Sequence, residues 1–475
     1  MAGLPTPIIA YNRHHLLDLP NEILQEVACY LPTDSDVLNL SRSSKEAWCK
    51  VFGGDSGVWR ARFEVHFDVP PRKKYSELKN EYITRAFVLK AYIDFAVEED
   101  PDQRLWMEVL QTMLQDCLVL PGVFGNSKTL EYLKRVLGQG NFLREPGKPG
   151  KPSDLFYGLQ LCLSGVALDR EVTCCCRRTD YDVETIYSIP KGFLPSNDAD
   201  DEFADFNGST SSESTGYGSS VESNELDEPG ADVDQVDSNG SETSEHPVSD
   251  NKPRPYIDHL ALDLPKLLQI RSFWQRHLLS PSENTYEESY SGLPEILKPG
   301  VRKNDISKGS TLSTSWIGYY SCIHPFPRTI EELENRQTCG SHDEEMEIMT
   351  LELQTCQDLF WPDVCSRFVA PFKGANVKRV AFKGKQGIHG NVETNHAFGF
   401  IEDIEAAYGG FSGWQRACFT LVERIDDEPL EVKEDAAGWL HIYEAVIIPG
   451  GRVMLGRWVD MKVPAATGPF IFWDI

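Results

Sequence analysis

The sequence predicts a multidomain α + β chain, helical in its N-terminal half and ending in a mainly antiparallel β-barrel or sandwich. Three observations carry that prediction. Apolar residues recur at helical spacing from residue 14 to about 191 and again over 256–309. From about Ser310 the pattern changes to short runs that partly alternate with period two and are rich in Trp, Tyr, Phe, Ile and Val. Between the two helical stretches, residues 192–255 form an acidic tract rich in Ser and Gly. At 475 residues, two or three domains are expected. The patterns assign 14–62 to a small helical unit, 63–191 and 256–309 to a helical middle, and 310–475 to the β domain.

The first unit reads LLDLPNEILQEVACYLPTDSDVLNLSRSSKEAWCKVFGGDSGVWRAR over residues 16–62. Ile23, Leu24, Val27 and Leu31 fall on one face of a first helix. Pro20 suits its first turn, Glu22 favours the positive end of its dipole, and Pro32 ends it. Asp34, Ser35 or Asp36 can cap a second segment carrying Val37, Leu38 and Leu40. A third helix fits Ser43 to Phe52, because Ser43 and Glu46 have capping-box spacing and Ala47, Trp48, Val51 and Phe52 share a face. Gly53 and Gly54 stop it.

Together, Leu19-Pro20-x-Glu22-Ile23-Leu24, Leu31-Pro32, Asp36-x-Leu38-x-Leu40, Ser44-Lys45 and Val58-Trp59-Arg60 make this stretch resemble an F-box. The resemblance implies docking of a Skp-type linker protein through Leu19, Pro20, Ile23, Leu24, Leu31, Leu38, Leu40 and Trp59. Leu24, Val27, Leu38 and Trp48 also read as the internal core of the unit. A unit this small buries little surface alone, which leaves an apolar face for a partner.

Downstream, a turn around Pro70-Pro71 precedes a long amphipathic helix carrying Leu78, Tyr82, Phe87, Leu89, Tyr92 and Phe95. Further helices fit Gln103–Val119, Ser127–Leu137 with Ser127 as cap, 155–170 and 256–279. The acidic tract splits this helical region. Residues 196–251 hold 16 Asp and Glu and no Lys or Arg, so the tract carries 16 of the 27 net negative charges. Such a segment is expected to be disordered, because it has too little apolar surface to offset its ordering entropy. Thr210 and Ser219 each precede a Glu by three residues, the spacing acidophilic kinases favour.

The β domain shows seven or eight strand-like runs, including STSWIGYYSCI, VKRVAFKGKQ, WLHIYEAVII and GPFIFWDI, with Pro449-Gly450-Gly451 as a hairpin turn. Closure into a barrel would remove vulnerable edges. Trp316-x-Gly318-Tyr319-Tyr320, the run from Ala406 to Trp414, Gly456-Arg457-Trp458 and Gly468-Pro469-Phe470 resemble the C-terminal β-barrel of a family of fungal F-box proteins. That resemblance implies a substrate-recognising, lipocalin-like barrel. The segment Phe398–Trp414 reads as a loop whose Tyr408, Phe411 and Trp414 are either substrate anchors or plugs that close one barrel end.

Several chemistries are excluded or disfavoured. There is no P-loop, no HExxH and no GxSxG. His389, Asn391, Glu393 and His396 read as a polar rim loop rather than a metal site. The twelve cysteines contain no CxxC pair and read as reduced thiols of a cytosolic or nuclear protein. No apolar run is long enough for a transmembrane helix, no signal peptide is expected, and no basic stripe suits nucleic acid. No catalytic residue, cofactor or metal is expected. What the resemblance implies is a non-catalytic substrate receptor of an SCF-type cullin-RING ubiquitin ligase. Its F-box would bind the linker, the linker would reach the cullin, and the barrel would hold an unidentified protein substrate. The alternatives are an F-box adaptor outside the ligase and a barrel that senses a small apolar molecule.

Overall fold

The first helices follow from their caps. The computed structural model describes residues 16–53, 56–69, 73–90, 100–119, 127–139, 142–143, 152–170, 172, 179–187, 257–258, 261–280, 286–299, 314–322, 348–357, 361, 379–389, 394–422, 440–461 and 467–475. The acidic tract, its Thr210 and Ser219, and the Pro70-Pro71 turn lie outside these residues. Helix α1 (Asn21–Cys29) starts after Pro20, which stands at the N-cap. For α2 (Asp34–Arg42) the cap is Thr33, one residue before the expected acids, in a reciprocal capping box with Asp36. For α3 (Lys45–Phe52) it is Ser44 rather than Ser43, accepting from the Ala47 N–H at 3.0 Å. A fourth helix that sequence reading missed, α4 (Gly57–His66), carries Trp59.

The helical middle continues with α5 (Tyr75–Val88), α6 (Pro101–Val119), α7 (Lys128–Gln139), α8 (Asp154–Cys162), α9 (Ser164–Ala167) and α10 (Val183–Tyr187). Ser127 caps α7 as expected, its hydroxyl accepting from Leu130 N–H at 3.0 Å. A two-residue ribbon, β1 (Ile257–Asp258) and β2 (Ala261–Leu262), leads into α11 (Leu264–Leu279). Asp263 caps α11, and Trp274, Phe273, Ile270 and even Arg271 and His277 on it are buried. A helix buried all round must satisfy its polar groups internally. Arg271 accordingly donates to Gln160 Oε1 at 2.9 Å, and His277 pairs with the Tyr181 hydroxyl at 3.0 Å. A short helix, α12 (Glu287–Gly292), follows.

The β domain is a closed eight-stranded antiparallel barrel, which decides between barrel and sandwich. Its strands are β3 (Ser315–Tyr320), β4 (Met349–Thr355), β5 (Arg379–Ile388), β6 (Thr394–Asp403), β7 (Gln415–Val422), β8 (Leu440–Ile447), β9 (Val453–Asp460) and β10 (Thr467–Asp474). They follow one another in chain order, and β10 pairs β3 to close the cylinder, as in Phe472↔Gly318. Two expectations are corrected here. Residues 398–403 are strand rather than loop, and His396 belongs to that strand rather than to a polar rim loop. Asn391 and Glu393 lie outside the described residues.

Alternate side chains of the strands join different cores. Trp316, Leu351, Phe382, Phe419, Tyr443, Trp458, Phe470 and Phe472 cluster in the interior. Their rings touch: Phe419 stacks on Tyr443 at 4.7 Å, and Tyr443 meets Phe470 at 5.1 Å. The interior is therefore packed by rings. Residues of opposite parity, Ile317, Tyr319, Leu455, Ile471 and Trp473, join one continuous core with the helices, reaching back to Leu24 and Trp59. The described helices and the barrel form one compact unit.

Candidate docking surfaces

The N-terminal helices are held together by polar pins to backbone carbonyls. Lys50 Nζ donates to Leu17 O at 2.7 Å and fixes the segment that leads into Pro20. Arg62 Nη2 donates to Leu31 O at 2.6 Å and to Thr33 O at 3.2 Å, tying α4 to the α1–α2 turn. Gln25 bridges Lys50 O and Gly57 N–H. Around these pins Leu24, Ala28, Val37, Ala47, Val51, Val58 and Phe63 are buried.

What stays outside is apolar. On α1, Ile23 is 44% exposed, Val27 one turn on is also exposed, and Tyr30 just past the helix end is 81% exposed. With exposed Pro20 these positions run along one face at i, i+3, i+7 and i+10. Trp48 on the neighbouring α3 is 44% exposed and stacks on Phe52 at 4.2 Å. The stack runs inward from there: Phe52 meets Trp59 edge-on at 4.6 Å, and Trp59 meets Tyr82 of α5 at 6.1 Å. Lys79 lies over the Phe52 ring at 4.6 Å, and burial lowers the pKa of its ammonium.

The structure thus divides the sequence-derived set. Pro20 and Ile23 are exposed, and Leu19, Leu31, Leu38 and Leu40 are half-buried. Leu24 is fully buried and Trp59 is 3% exposed, so both serve the internal core. Val27 and Trp48, read from sequence as core, point out to solvent instead, and Tyr30 joins them. Helical periodicity does place Tyr30 on the Ile23–Val27 face, but a tyrosine beside Leu31-Pro32 also reads as helix-end packing.

The aromatic barrel segment has a different character. Within Ile404–Trp414, Phe411 and Trp414 are buried and Tyr408 is half-buried. Trp414 Nε1 donates to Phe411 O at 3.0 Å and to Tyr408 O at 3.2 Å, and Tyr408 and Phe411 pair through their backbones. The tip is laid on the helices: Gln111 and Gln115 of α6 donate to Gly410 O at 2.5 and 3.0 Å. Gly409, with φ +56°, meets Gly158 of α8, where a Cβ would come within 2.7 Å of the Gly409 Cα. The segment is a latch between barrel and helices, and Phe411 and Trp414 are buried in the core that the outer side of the barrel shares with the helices rather than in the barrel interior. Gly158→Ala should therefore lower the melting temperature, whereas the neighbouring Gly165→Ala, whose Cβ meets nothing within 4 Å, should not; a calorimetric scan of both variants checks this.

The Cys322 thiol is not activated as a nucleophile. Asp460 lies 3.6 Å from His441 Nε2, and near it burial and the Asp460 charge push the Cys322 thiol up to about 11. A thiolate nucleophile requires the opposite shift. Among the described residues no three His, Cys, Asp or Glu side chains converge as metal ligands, and no helix is long and apolar enough to cross a membrane. No family model, no curated protein and no solved structure matches this chain.

Proposed function

We propose that this protein is a non-catalytic substrate receptor of an SCF-type ubiquitin ligase, working in the cytoplasm or nucleus. Its N-terminal helices dock a Skp-type linker, and its barrel holds the protein to be modified. The observation that carries the reading is the apolar row Pro20, Ile23, Val27 and Tyr30, flanked by Trp48, on a helical unit with the F-box pattern. Aromatic and aliphatic side chains displayed on a rigid helix are the residues that anchor interfaces. A row of this kind also costs solubility when left uncovered. The mechanism is proximity: holding a substrate near a charged ubiquitin-conjugating enzyme raises the effective concentration of its lysines. Substrate contact then falls on barrel surface other than the Ile404–Trp414 latch, which is occupied by α6 and α8.

The test is capture of the linker by the full chain. Ile23→Asp with Val27→Asp should reduce linker retention at least tenfold, since anchor truncations commonly cost about 2 kcal/mol or more. Both side chains are already exposed, so the melting temperature should hold. Undiminished capture by the folded double variant would overturn the docking assignment. Linker capture without cullin would favour an adaptor acting outside the ligase.

A further inference from the structure

A second site lies beside this unit, in a cleft of about 420 Å³ where α2, α4, α5 and α7 meet. Its size falls in the range that holds small ligands, roughly 300–1,000 Å³. Its lining carries three permanent cations, Arg62, Lys90 and Arg135, against one carboxylate, Asp34. That excess is unusual in a chain of net charge −27. The Asp34 carboxylate is engaged within the wall, accepting from the Tyr82 hydroxyl at 2.8 Å and lying 3.6 Å from Arg62 Nη1. Arg62 is spent on the backbone of the α1–α2 turn. Lys90 and Arg135 are different: among the described residues neither has a carboxylate within ion-pairing distance. The Arg135 guanidinium lies over the Tyr132 ring at 4.9 Å, which fixes its plane and leaves its N–H edge for a ligand.

The walls between these charges are aromatic. His66 is stacked with Tyr82 at 6.3 Å and edge-on to Tyr132 at 6.3 Å. Burial, and then the Arg135 charge, hold its pKa below the usual histidine value, so it is neutral near pH 7 and can accept or donate a hydrogen bond. The first turn of α2, with Asp34 and Ser35, closes one side at the positive end of that helix.

We propose that this cleft binds a phosphate monoester. The lining charge of three cations and one carboxylate matches a group of about −1.5 to −2 at neutral pH, which a single carboxylate only half satisfies. The ligand inserts its phosphate between Lys90 and Arg135 and lays the attached group against His66 and Tyr132. Because residues of α2 and α4 line the cleft together with α5 and α7, the bound anion braces the N-terminal unit against the helical middle. The proposal stands independently of linker docking, since Ile23, Val27 and Trp48 do not line the cleft.

The experiment titrates the full chain calorimetrically with inorganic phosphate, with a Gly-Gly-phosphoserine-Gly-Gly peptide and with adenosine 5′-monophosphate, chloride holding ionic strength constant. At least one should bind and raise the melting temperature. Lys90→Gln with Arg135→Gln should weaken that binding at least tenfold, about 1.4 kcal/mol. The unliganded melting temperature of this variant should change little, because both side chains are exposed and, among the described residues, neither is in an ion pair. Preference for the peptide identifies the source as a phosphorylated protein; preference for the nucleotide identifies a free phosphorylated metabolite; equal binding of inorganic phosphate identifies the bare ion. No binding by any probe at millimolar concentration, or binding undiminished in the double variant, overturns the proposal.

Discussion

Trp414→Ala is expected to cost about 3–5 kcal/mol of folding stability, the range for emptying a buried large aromatic site. The side chain is fully buried, and its indole N–H closes the latch on two carbonyls of the same loop. Removing it opens a cavity in the core shared by barrel and helices and removes the indole's hydrogen bonds to the Tyr408 and Phe411 carbonyls, which keep their backbone pairing. Trp414→Phe should fall between wild type and Trp414→Ala, because it restores much of the volume but not the donor. Urea denaturation followed by circular dichroism measures all three. Near-wild-type stability of Trp414→Ala would mean that the loop is dispensable to the fold.

Arg416→Ala should be comparably damaging, about 3–5 kcal/mol, for an electrostatic reason. On the outer side of the barrel Arg379, Glu402, Arg416 and Glu444 form a row across β5, β6, β7 and β8. Glu402 is fully buried, with Arg379 Nε at 2.8 Å from one oxygen and Arg416 Nη1 at 3.7 Å from the other. Arg416 Nη2 lies 2.6 Å from Glu444. Deleting Arg416 leaves buried carboxylates on both sides undercompensated. Arg416→Met combined with Glu444→Leu should recover most of the loss, since the pair departs together and Arg379 still neutralises Glu402. A double variant no better than Arg416→Ala would show that packing, not charge, sets the cost.

Much of the fold was legible because local chemistry and final structure agree. Pro20, the Ser127 cap and the Gly450-Gly451 turn mark their boundaries in sequence, and both glycines adopt positive φ, 99° and 71°. The misses have specific causes. Helix α4 escaped because Arg62, which reads as a solvent residue, is buried against backbone carbonyls. Strand β6 escaped because its Gly399, Glu402 and Asp403 read as loop residues, while Glu402 is neutralised only by arginines on other strands. The sites were less legible than the fold. Anchor and plug look alike in sequence, and what buries Phe411 and Trp414 is a helical surface nearly 300 residues away in the chain. The cationic cleft likewise draws on four helices whose spacing carries no local pattern.

The latch also sets the order in which the chain can acquire structure during synthesis. Gln111 meets Gly410 across a separation of 299 residues, and Trp473 donates its indole N–H to Leu297 O across 176. The cylinder closes only when β10, last to leave the ribosome among these strands, reaches β3. Until then β3 and β9 each present an unpaired edge, and the part of α11 that packs on β10 has no cover. Contacts this distant are slow to form and leave apolar surface open meanwhile. The nascent chain therefore keeps these edges and this apolar surface open until the last strand is in place. A ribosome stalled just before residue 467 should carry a protease-sensitive chain, and release of the last strand should convert the helices and the barrel to resistance in one step.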